Sequence, residues 1–280
     1  MSCIIDILGS DEVSQYGNNI HVDLSKRAIE QQALALETIL QCLGGFGFNV
    51  ESLHRNLLKD TNPLEPNNVL MISRGLLTGT REPLLSSIHI NGLSPLSGLL
   101  GSSSLGGMFG FRMYCLGIHS FNITGQANQP VYLYLGTGGL EFKSAAHLWG
   151  LDTRETEAIL KKEHGSENID ILTIGPAGEN KVHYASIISS KDHADGRNGL
   201  GALMGAKNLK AVVLQAEPKQ TKNSTEQAAV VKEYIDRLKS NVSRFNNYAR
   251  YGSSGDILET NERGMLGSYN YQESQIEKDR

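Results

Sequence analysis

The sequence contains little of what several classes of protein depend on. Among its 280 residues are three cysteines, one tryptophan and seven prolines, and no apolar run approaches the roughly 18 residues of a membrane span. Cys3, Cys42 and Cys115 lie far apart, with neither a CxxC pair nor a histidine at ligand spacing. This excludes a zinc site, a complete iron–sulfur cluster and a disulfide framework built from this sequence alone.

An excess of positive charge is also missing. The 26 lysines and arginines are outnumbered by 30 acidic residues, which gives a formal net charge of -4. Without a basic surface there is no general attraction for nucleic acid, so we exclude nucleic acid as the main partner. The acidic N-terminal segment is unlike a signal peptide, and with no apolar span it predicts a cytoplasmic protein that has no membrane partner. The 39% of hydrophobic residues is enough for a sizeable core.

Hydrophobic periodicity predicts a mixture of strands and helices. Alternation at Ile20, Val22 and Leu24 predicts a strand over residues 19–25, and leucines at helical spacing predict a helix over about 28–43. A polar stretch after residue 215 predicts a linker. Further strands are predicted over residues 116–124, 131–135, 140–142 and 209–215, and further helices over about 50–58, 153–164 and 225–239.

The middle of the chain contains an internal repeat. Residues 69–80 and 170–180 each combine an apolar strand with a turn that has two closely spaced glycines. In both copies a further strand, over residues 88–91 or 182–189, precedes a long loop of small residues that leads into a helix. The predicted copies are roughly residues 69–110 and 170–207.

The strongest chemical signal is a pair of glycine-rich loops, over residues 98–110 and 196–205. Glycine lets main-chain groups approach a ligand closely, and a helix that follows such a loop directs free N–H groups at anions, so phosphate is the expected ligand. The alternative is tight packing of helix on sheet without a ligand. Two loops at matching positions favour a shared ligand site. The segment GLGALMG is not the GxGxxG fingerprint, so a nucleotide site ranks lowest.

His193 is the histidine that stands out, because it precedes the second loop and lies between Asp192 and Asp195. A metal or a phosphate could meet it there. The alternative is an ordinary loop in which the aspartates cap the next helix. No GxSxG motif or other nucleophile is evident, so no catalytic residue is assigned.

Seven motifs follow one another in an order that periodicity does not explain. They are LLTGT (76–80), SPLSG (94–98), GGMFG (106–110), QPVYLYL (129–135), AAHLWGLDTRETE (145–157), IGPAGEN (174–180) and GRNGLGALMGAKNLKAVV (196–213). This set resembles the N-terminal domain of the aldehyde:ferredoxin oxidoreductases, and the resemblance continues over residues 251–272. It implies an α+β fold: a duplicated two-sheet platform over residues 1–215, then a linker and the beginning of a helical domain over residues 216–280.

The resemblance also implies a cofactor. In that family two molybdopterin molecules hold tungsten or molybdenum, and a magnesium ion between their phosphates takes main-chain carbonyls, here those of Ser104 and Ala194. Ser87 and His193 stand where the family pattern has arginine, which removes two cations from an anion site. The implied cofactor-binding residues are Ser104, Gly106, Gly107, His193, Ala194, Gly196, Arg197 and Gly199.

The implied reaction is oxidation of an aldehyde to a carboxylic acid, with electrons passing through a [4Fe-4S] cluster to ferredoxin. In that family the cluster cysteines and the catalytic acid and histidine lie in the helical half, which this sequence lacks, so the cluster is expected only together with that half. Two hypotheses remain open: a pterin-binding domain that is active with further polypeptide, and a degenerate, metal-free paralogue that acts as a binding or assembly module. An apolar face built to meet that helical half would be exposed in a lone platform, which predicts a second polypeptide or self-association.

Overall fold

The structure is a computed structural model that describes residues 17–57, 59–79, 86–166, 168–190, 193–196, 198–218 and 225–276, apart from the side chains of residues 36, 39, 227 and 244. The chain divides into two compact units, Met1–Thr221 and Lys222–Arg280. In the described part of the chain, no helix has the length and apolarity needed to cross a membrane.

The first sheet has the strand order β2-β1-β6-β3-β4-β5. Strands β1 and β6 run parallel, and every other neighbouring pair is antiparallel. Its elements are β1 (Asn18–Asp23), β2 (Ala28–Ala33), α1 (Leu36–Cys42), α2 (Gly45–Asn56), β3 (Leu70–Arg74), β4 (Ile88–Leu93), β5 (Leu100–Leu105), α3 (Phe109–Cys115) and β6 (Ile118–Thr124).

The second sheet repeats this topology with the order β8-β7-β12-β9-β10-β11, in which β7 and β12 are the parallel pair. The repeat therefore includes whole six-stranded sheets and is wider than the segments 69–110 and 170–207. The predicted α+β platform is confirmed. The elements are β7 (Val131–Gly136), β8 (Gly139–Ser144), α4 (Thr153–His164), β9 (Ile169–Thr173), α5 (Pro176–Glu179), β10 (Ile188–Ser189), β11 (His193–Ala194), α6 (Leu200–Ala206) and β12 (Leu209–Gln215).

One apolar core joins the two sheets. It contains residues from both, such as Phe121 and Val212, together with Phe109 of α3 and Leu203 of α6. Removing this apolar surface from water is the main stabilising contribution to the platform. The parallel pairs and the short helices before β6 and β12 therefore have equivalent places around the core.

The helix over Thr153–His164 is formed as predicted. The Asp152 carboxylate accepts the N–H groups of Arg154 and Glu155, both at 2.8 Å, and the Glu155 side chain accepts the Asp152 N–H in return. This reciprocal arrangement satisfies N–H groups that a helix start leaves free. Gly165 then ends the helix in the left-handed conformation.

Three local predictions are wrong. Residues 28–33 form β2 because they pair with β1 as an edge strand, and the helix that follows spans only Leu36–Cys42. The predicted strand over 182–189 is reduced to Ile188–Ser189, because the residues before it form a turn closed by the bond from Ala185 N–H to the Val182 carbonyl. The small-residue loop contains a true strand, Leu100–Leu105, which pairs with β4.

The second unit consists of helices. Its elements are α7 (Thr225–Ser240), α8 (Val242–Tyr251), a 3-10 turn over Gly252–Asp256 and α9 (Ile257–Glu262). The first of these confirms the predicted helix over 225–239. Large apolar side chains along these helices are exposed, and they include Val230, Tyr234, Leu238, Phe245 and Leu258.

Candidate cofactor site

The loop that follows β11, the edge strand of the second sheet, contacts β5, the edge strand of the first sheet, and the turn before β5. The Asn198 side chain donates to the Ser102 carbonyl, and the Ser94 hydroxyl donates to the Asn198 carbonyl at 2.6 Å. A Cβ atom placed on Gly196 would lie 3.5 Å from the Ser103 hydroxyl oxygen. The two loops singled out in the sequence are therefore brought side by side, one from each half.

Ser104 and Ala194 lie on these two edge strands and are exposed. Ser104 pairs with His89 of β4, and Ala194 pairs with Ile188 of β10. An edge strand leaves the main-chain groups of its outer side without a strand partner, so they are open to solvent or to a ligand. Ser104 and Ala194 are therefore exposed residues of two edge strands, one from each half.

Gly106 and Gly107 follow β5 directly and form a cradle of bare main chain. A Cβ atom on Gly106 would lie 3.1 Å from His193 Nδ1, and one on Gly107 would lie 3.2 Å from His193 Cδ2. The hydroxyl oxygens of Ser189 and Ser190 are each 3.5 Å from the same position on Gly107. His193 of one half thus covers the glycines of the other half.

Most glycines around α6 have a different role, because they allow close approach of main chain. A Cβ atom on Gly199 would lie 1.9 Å from the His183 carbonyl oxygen, and one on Gly205 would lie 1.9 Å from the Gly178 carbonyl oxygen. On Gly201 it would lie 2.6 Å from the Ser186 carbonyl oxygen. Tight packing, the alternative considered for a glycine-rich loop, accounts for these three positions.

This packing predicts a loss of stability for Gly205→Ala. Alanine is the better helix former, but its methyl group would overlap the Gly178 carbonyl, so we expect the free energy of unfolding to fall by about 1–3 kcal/mol. Urea denaturation of the full chain measures it. The control is Gly138→Ala, where no described residue other than its chain neighbours lies within 4 Å of the added atom. Equal unfolding midpoints for the two variants would contradict the assignment.

Asp195, between Ala194 and Gly196, is completely buried. Its Oδ1 accepts the Ile187 N–H at 2.9 Å, so it does not cap α6, whose N-cap position is Gly199. Its Oδ2 has no hydrogen-bond partner among the described residues. Burial raises the pKa of the carboxyl to about 7, against the opposing effect of the hydrogen bond from Ile187 N–H. The capping role considered for Asp195 is therefore wrong, and no sequence pattern indicated its burial.

Ser87 is half-buried and lines a cavity of about 530 Å³. Its walls are two glycine turns that meet at the Gly44–Gly75 bridge, with apolar side chains such as Phe46 and Leu77 at its edge. His89, which pairs with Ser104, also lines it, and burial lowers the pKa of this imidazole. Sequence reasoning missed the cavity because Gly44 and Gly45 were interpreted only as a helix end.

Two buried cations connect the halves behind these loops. Arg112 of α3 donates from Nε to Asp170 of β9 at 2.7 Å, and it also donates to the Ala216 carbonyl at 2.6 Å. Lys207, after α6, donates to the carbonyls of Pro66 and Gly125 at 3.1 and 3.2 Å. Burial lowers the pKa of Lys207 to about 7, against the attraction of Asp23. The relative position of the two loops therefore depends on specific polar contacts as well as on the core.

Arg197, the remaining predicted cofactor residue, lies outside the described residues. The structure thus brings together Ser104, Gly106 and Gly107 with His193, Ala194 and Gly196. Ser87 belongs to the separate cavity wall, and Gly199 packs against the main chain of His183.

The duplicated platform matches a known family. The family described as "Aldehyde ferredoxin oxidoreductase, N-terminal domain" matches residues 19–216. The chain belongs to the aldehyde ferredoxin oxidoreductase family. The match spans both sheets, so both loops and the contact between them lie within the family domain.

Several relatives in this family are known proteins. The chain is 34% identical over 258 residues to a tungsten-containing aldehyde ferredoxin oxidoreductase of Pyrococcus furiosus, and this covers 92% of the chain and 43% of the relative. It is 32% identical over 212 residues to the WOR-like subunit of an aliphatic sulfonate oxidoreductase of the same organism, which covers 70% of the chain and 34% of that subunit. The chain therefore spans less than half the length of these aldehyde ferredoxin oxidoreductase family relatives.

A solved structure has the same fold. The active site complex BamBC of benzoyl coenzyme A reductase, determined with 1,5-dienoyl-CoA, has a chain that superposes with a TM-score of 0.78 and 31% identity. The superposition covers 82% of this chain and 35% of that one. Fold and sequence thus agree on membership of the aldehyde ferredoxin oxidoreductase family.

Proposed function

We propose that this chain is the cofactor-binding platform of an aldehyde:ferredoxin oxidoreductase-like enzyme. The observation that carries the proposal is the meeting of β5 and β11, which places exposed main chain of Ser104 and Ala194 on neighbouring edges of the two halves. In the proposed complex their carbonyls hold magnesium, and tungsten or molybdenum is held by two molybdopterins. When bound, this group supplies the two-electron oxidation of an aldehyde to a carboxylic acid.

The main-chain groups of the site fit this metal–pterin group, and the side chains fit it less well. Gly106, Gly107 and Gly196 offer bare peptide groups, and glycine permits the closest approach of a ligand to them. Serine at position 87 and histidine at position 193 supply no fixed guanidinium, so Arg197 is the cation that the sequence keeps. The proposed binding therefore relies on peptide groups more than on ion pairs.

The chain needs further polypeptide to complete the proposed reaction. Ferredoxin accepts the electrons through an iron–sulfur cluster in the proposed enzyme, and the three scattered cysteines of this chain cannot bind one. Exposed apolar side chains on α7, α8 and α9 support the proposal that such a polypeptide covers these helices. Large apolar patches on a protein surface commonly mark interaction sites.

Elemental analysis of the chain tests the proposal directly. After anaerobic purification from a host that makes the pterin cofactor, we expect tungsten or molybdenum, magnesium, and pterin in the ratio that a bis-pterin centre requires. The Gly106→Val variant should contain no metal or pterin, because the valine side chain fills the cradle. The Gly138→Val variant, changed at an open turn, should retain both. Near-UV circular dichroism confirms that both variants are folded.

A chain without metal and without pterin would refute the platform. That result would instead favour the second hypothesis, a non-catalytic binding or assembly module. The structural observation that supports this second hypothesis is the position of the His193 ring. While the ring lies against Gly106 and Gly107, it keeps a ligand from these two glycines.

A further inference from the structure

The two edge strands differ at corresponding positions. Ser103 of β5 and His193 of β11 each lie three residues before the first glycine of the loop that follows the strand. Ser103 pairs with Ile90 of β4, and His193 pairs with Ser189 of β10, the strand that corresponds to β4 in the duplicated topology. A hydroxymethyl group therefore stands in one half where an imidazole stands in the other. The difference in length decides which of the two side chains can reach across to the opposite loop.

The contacts across the loops are correspondingly unequal. Of the residues that the structure describes, Gly196 of the second half faces the small Ser103 hydroxyl, at 3.5 Å from its hypothetical Cβ. Gly106 of the first half faces the His193 ring, with Nδ1 at 3.1 Å and Cε1 at 3.4 Å, and Gly107 faces Cδ2 of the same ring at 3.2 Å. One glycine cradle of the pair is thus left open and the other is filled by the protein itself.

Among the described residues, the His193 ring is held in this position by van der Waals contact. No described residue forms a hydrogen bond or an ion pair with it, and the residue is exposed on its other side. Turning the side chain about χ1 therefore breaks no polar interaction with the described residues. A ring held by van der Waals contact yields readily to a ligand that forms hydrogen bonds with the peptide groups beneath it.

We propose that His193 is a latch: its imidazole and an anionic, phosphate-bearing ligand occupy the Gly106–Gly107 cradle in mutually exclusive states. The choice of a phosphate-bearing ligand rests on the proposed function. It means that the free chain is closed at one of its two glycine cradles, and that a ligand enters only when the ring turns out towards solvent.

Calorimetric titration with inorganic pyrophosphate in the presence of Mg²⁺ tests the latch. In His193→Ala the cradle is open, so we expect at least roughly tenfold tighter binding than in the unchanged chain, a difference that corresponds to removal of one competing contact. The matched control is His54→Ala, an exposed histidine near the end of α2, which should bind like the unchanged chain. Equal or weaker binding by His193→Ala would overturn the proposal.

A second measurement follows the ring itself and does not depend on affinity. In the free chain we expect a nuclear Overhauser effect between His193 Hδ2 and the Gly107 α-protons, because the ring carbon lies against that glycine. Saturating magnesium pyrophosphate should abolish it. Persistence of the effect in the bound state, or failure of both chains to bind the probe, would overturn the latch, whereas metal and pterin content alone decides the proposed function.

Discussion

Replacement of Arg112 by methionine is expected to destabilise the platform by about 3–5 kcal/mol. Arg112 and Asp170 are both about 10% exposed in their side chains, and their contact joins α3 of the first half to β9 of the second. Methionine preserves much of the aliphatic volume but leaves a buried carboxylate without its partner. Because an uncompensated buried charge is costly, the loss is expected to exceed that of an ordinary hydrogen bond.

Urea denaturation followed by far-UV circular dichroism measures the effect. The control is Arg55→Met, which removes an exposed ion pair with Glu51 on α2 and should cost less than about 1 kcal/mol. The double variant Arg112→Met with Asp170→Asn should recover part of the loss, since no buried charge remains in it. A loss below about 1 kcal/mol for Arg112→Met alone would show that this contact contributes no more to stability than an exposed ion pair.

The same contact explains why the site depends on parts of the chain that the sequence motifs do not include. Gly106 and Gly107 lie between β5 and α3, and Ser189 lies on β10, which pairs with β9 and is followed by Ser190. The Ser190 hydroxyl donates to the other oxygen of Asp170 at 3.3 Å. Displacing α3 from β9 would therefore also separate the glycine cradle from the residues that face it.

Much of the fold follows from local signals in the sequence. The helix Thr153–His164 has its cap, its reciprocal Glu155 and its terminal glycine in the sequence. The apolar run over residues 211–214, within β12, is typical of a buried strand. The ordered motifs correctly indicated the family and the duplicated platform. These signals involve residues close together in the chain, where propensity and periodicity are informative.

The errors arise where distant residues decide the outcome. Ala28–Ala33 becomes a strand because β1 offers it a partner, and the serine-rich β5 is stabilised by pairing with β4 despite its weak strand propensity. The position of the His193 ring on Gly106 and the burial of Asp195 depend on how the halves pack. Such contacts have no counterpart in the spacing of residues along the chain.

Asp195 gives the second large effect on stability, and the size of this effect depends on pH. Burial raises the pKa of this carboxyl from 3.8 to about 7, so the folded chain retains a proton that the unfolded chain releases. The stability that comes from retaining the proton is fully present below pH 4 and is lost as the pH rises towards about 7. With about 1.4 kcal/mol for each pH unit, the loss reaches at most about 4 kcal/mol.

Asp195→Asn should remove this dependence. The amide oxygen can keep the bond from Ile187 N–H, and the amide nitrogen can donate to the Ser186 hydroxyl, which itself donates to the Gly196 carbonyl at 2.6 Å. In EDTA we expect the two chains to be equally stable near pH 4 and the variant to be more stable by about 2–4 kcal/mol at pH 8. Asp60→Asn, at an exposed turn, should follow the unchanged chain. Parallel curves for the unchanged chain and Asp195→Asn would contradict the prediction.

Magnesium connects this effect to the proposed site. A cation bound at the Ala194 carbonyl lies one residue from Asp195, and a nearby positive charge favours the ionised carboxylate. Adding Mg²⁺ should therefore flatten the pH dependence of the unchanged chain between about pH 4 and 7 and leave that of Asp195→Asn as it was. If Mg²⁺ shifts both curves equally, the ion binds away from this loop, and the carbonyls of Ser104 and Ala194 are not its ligands.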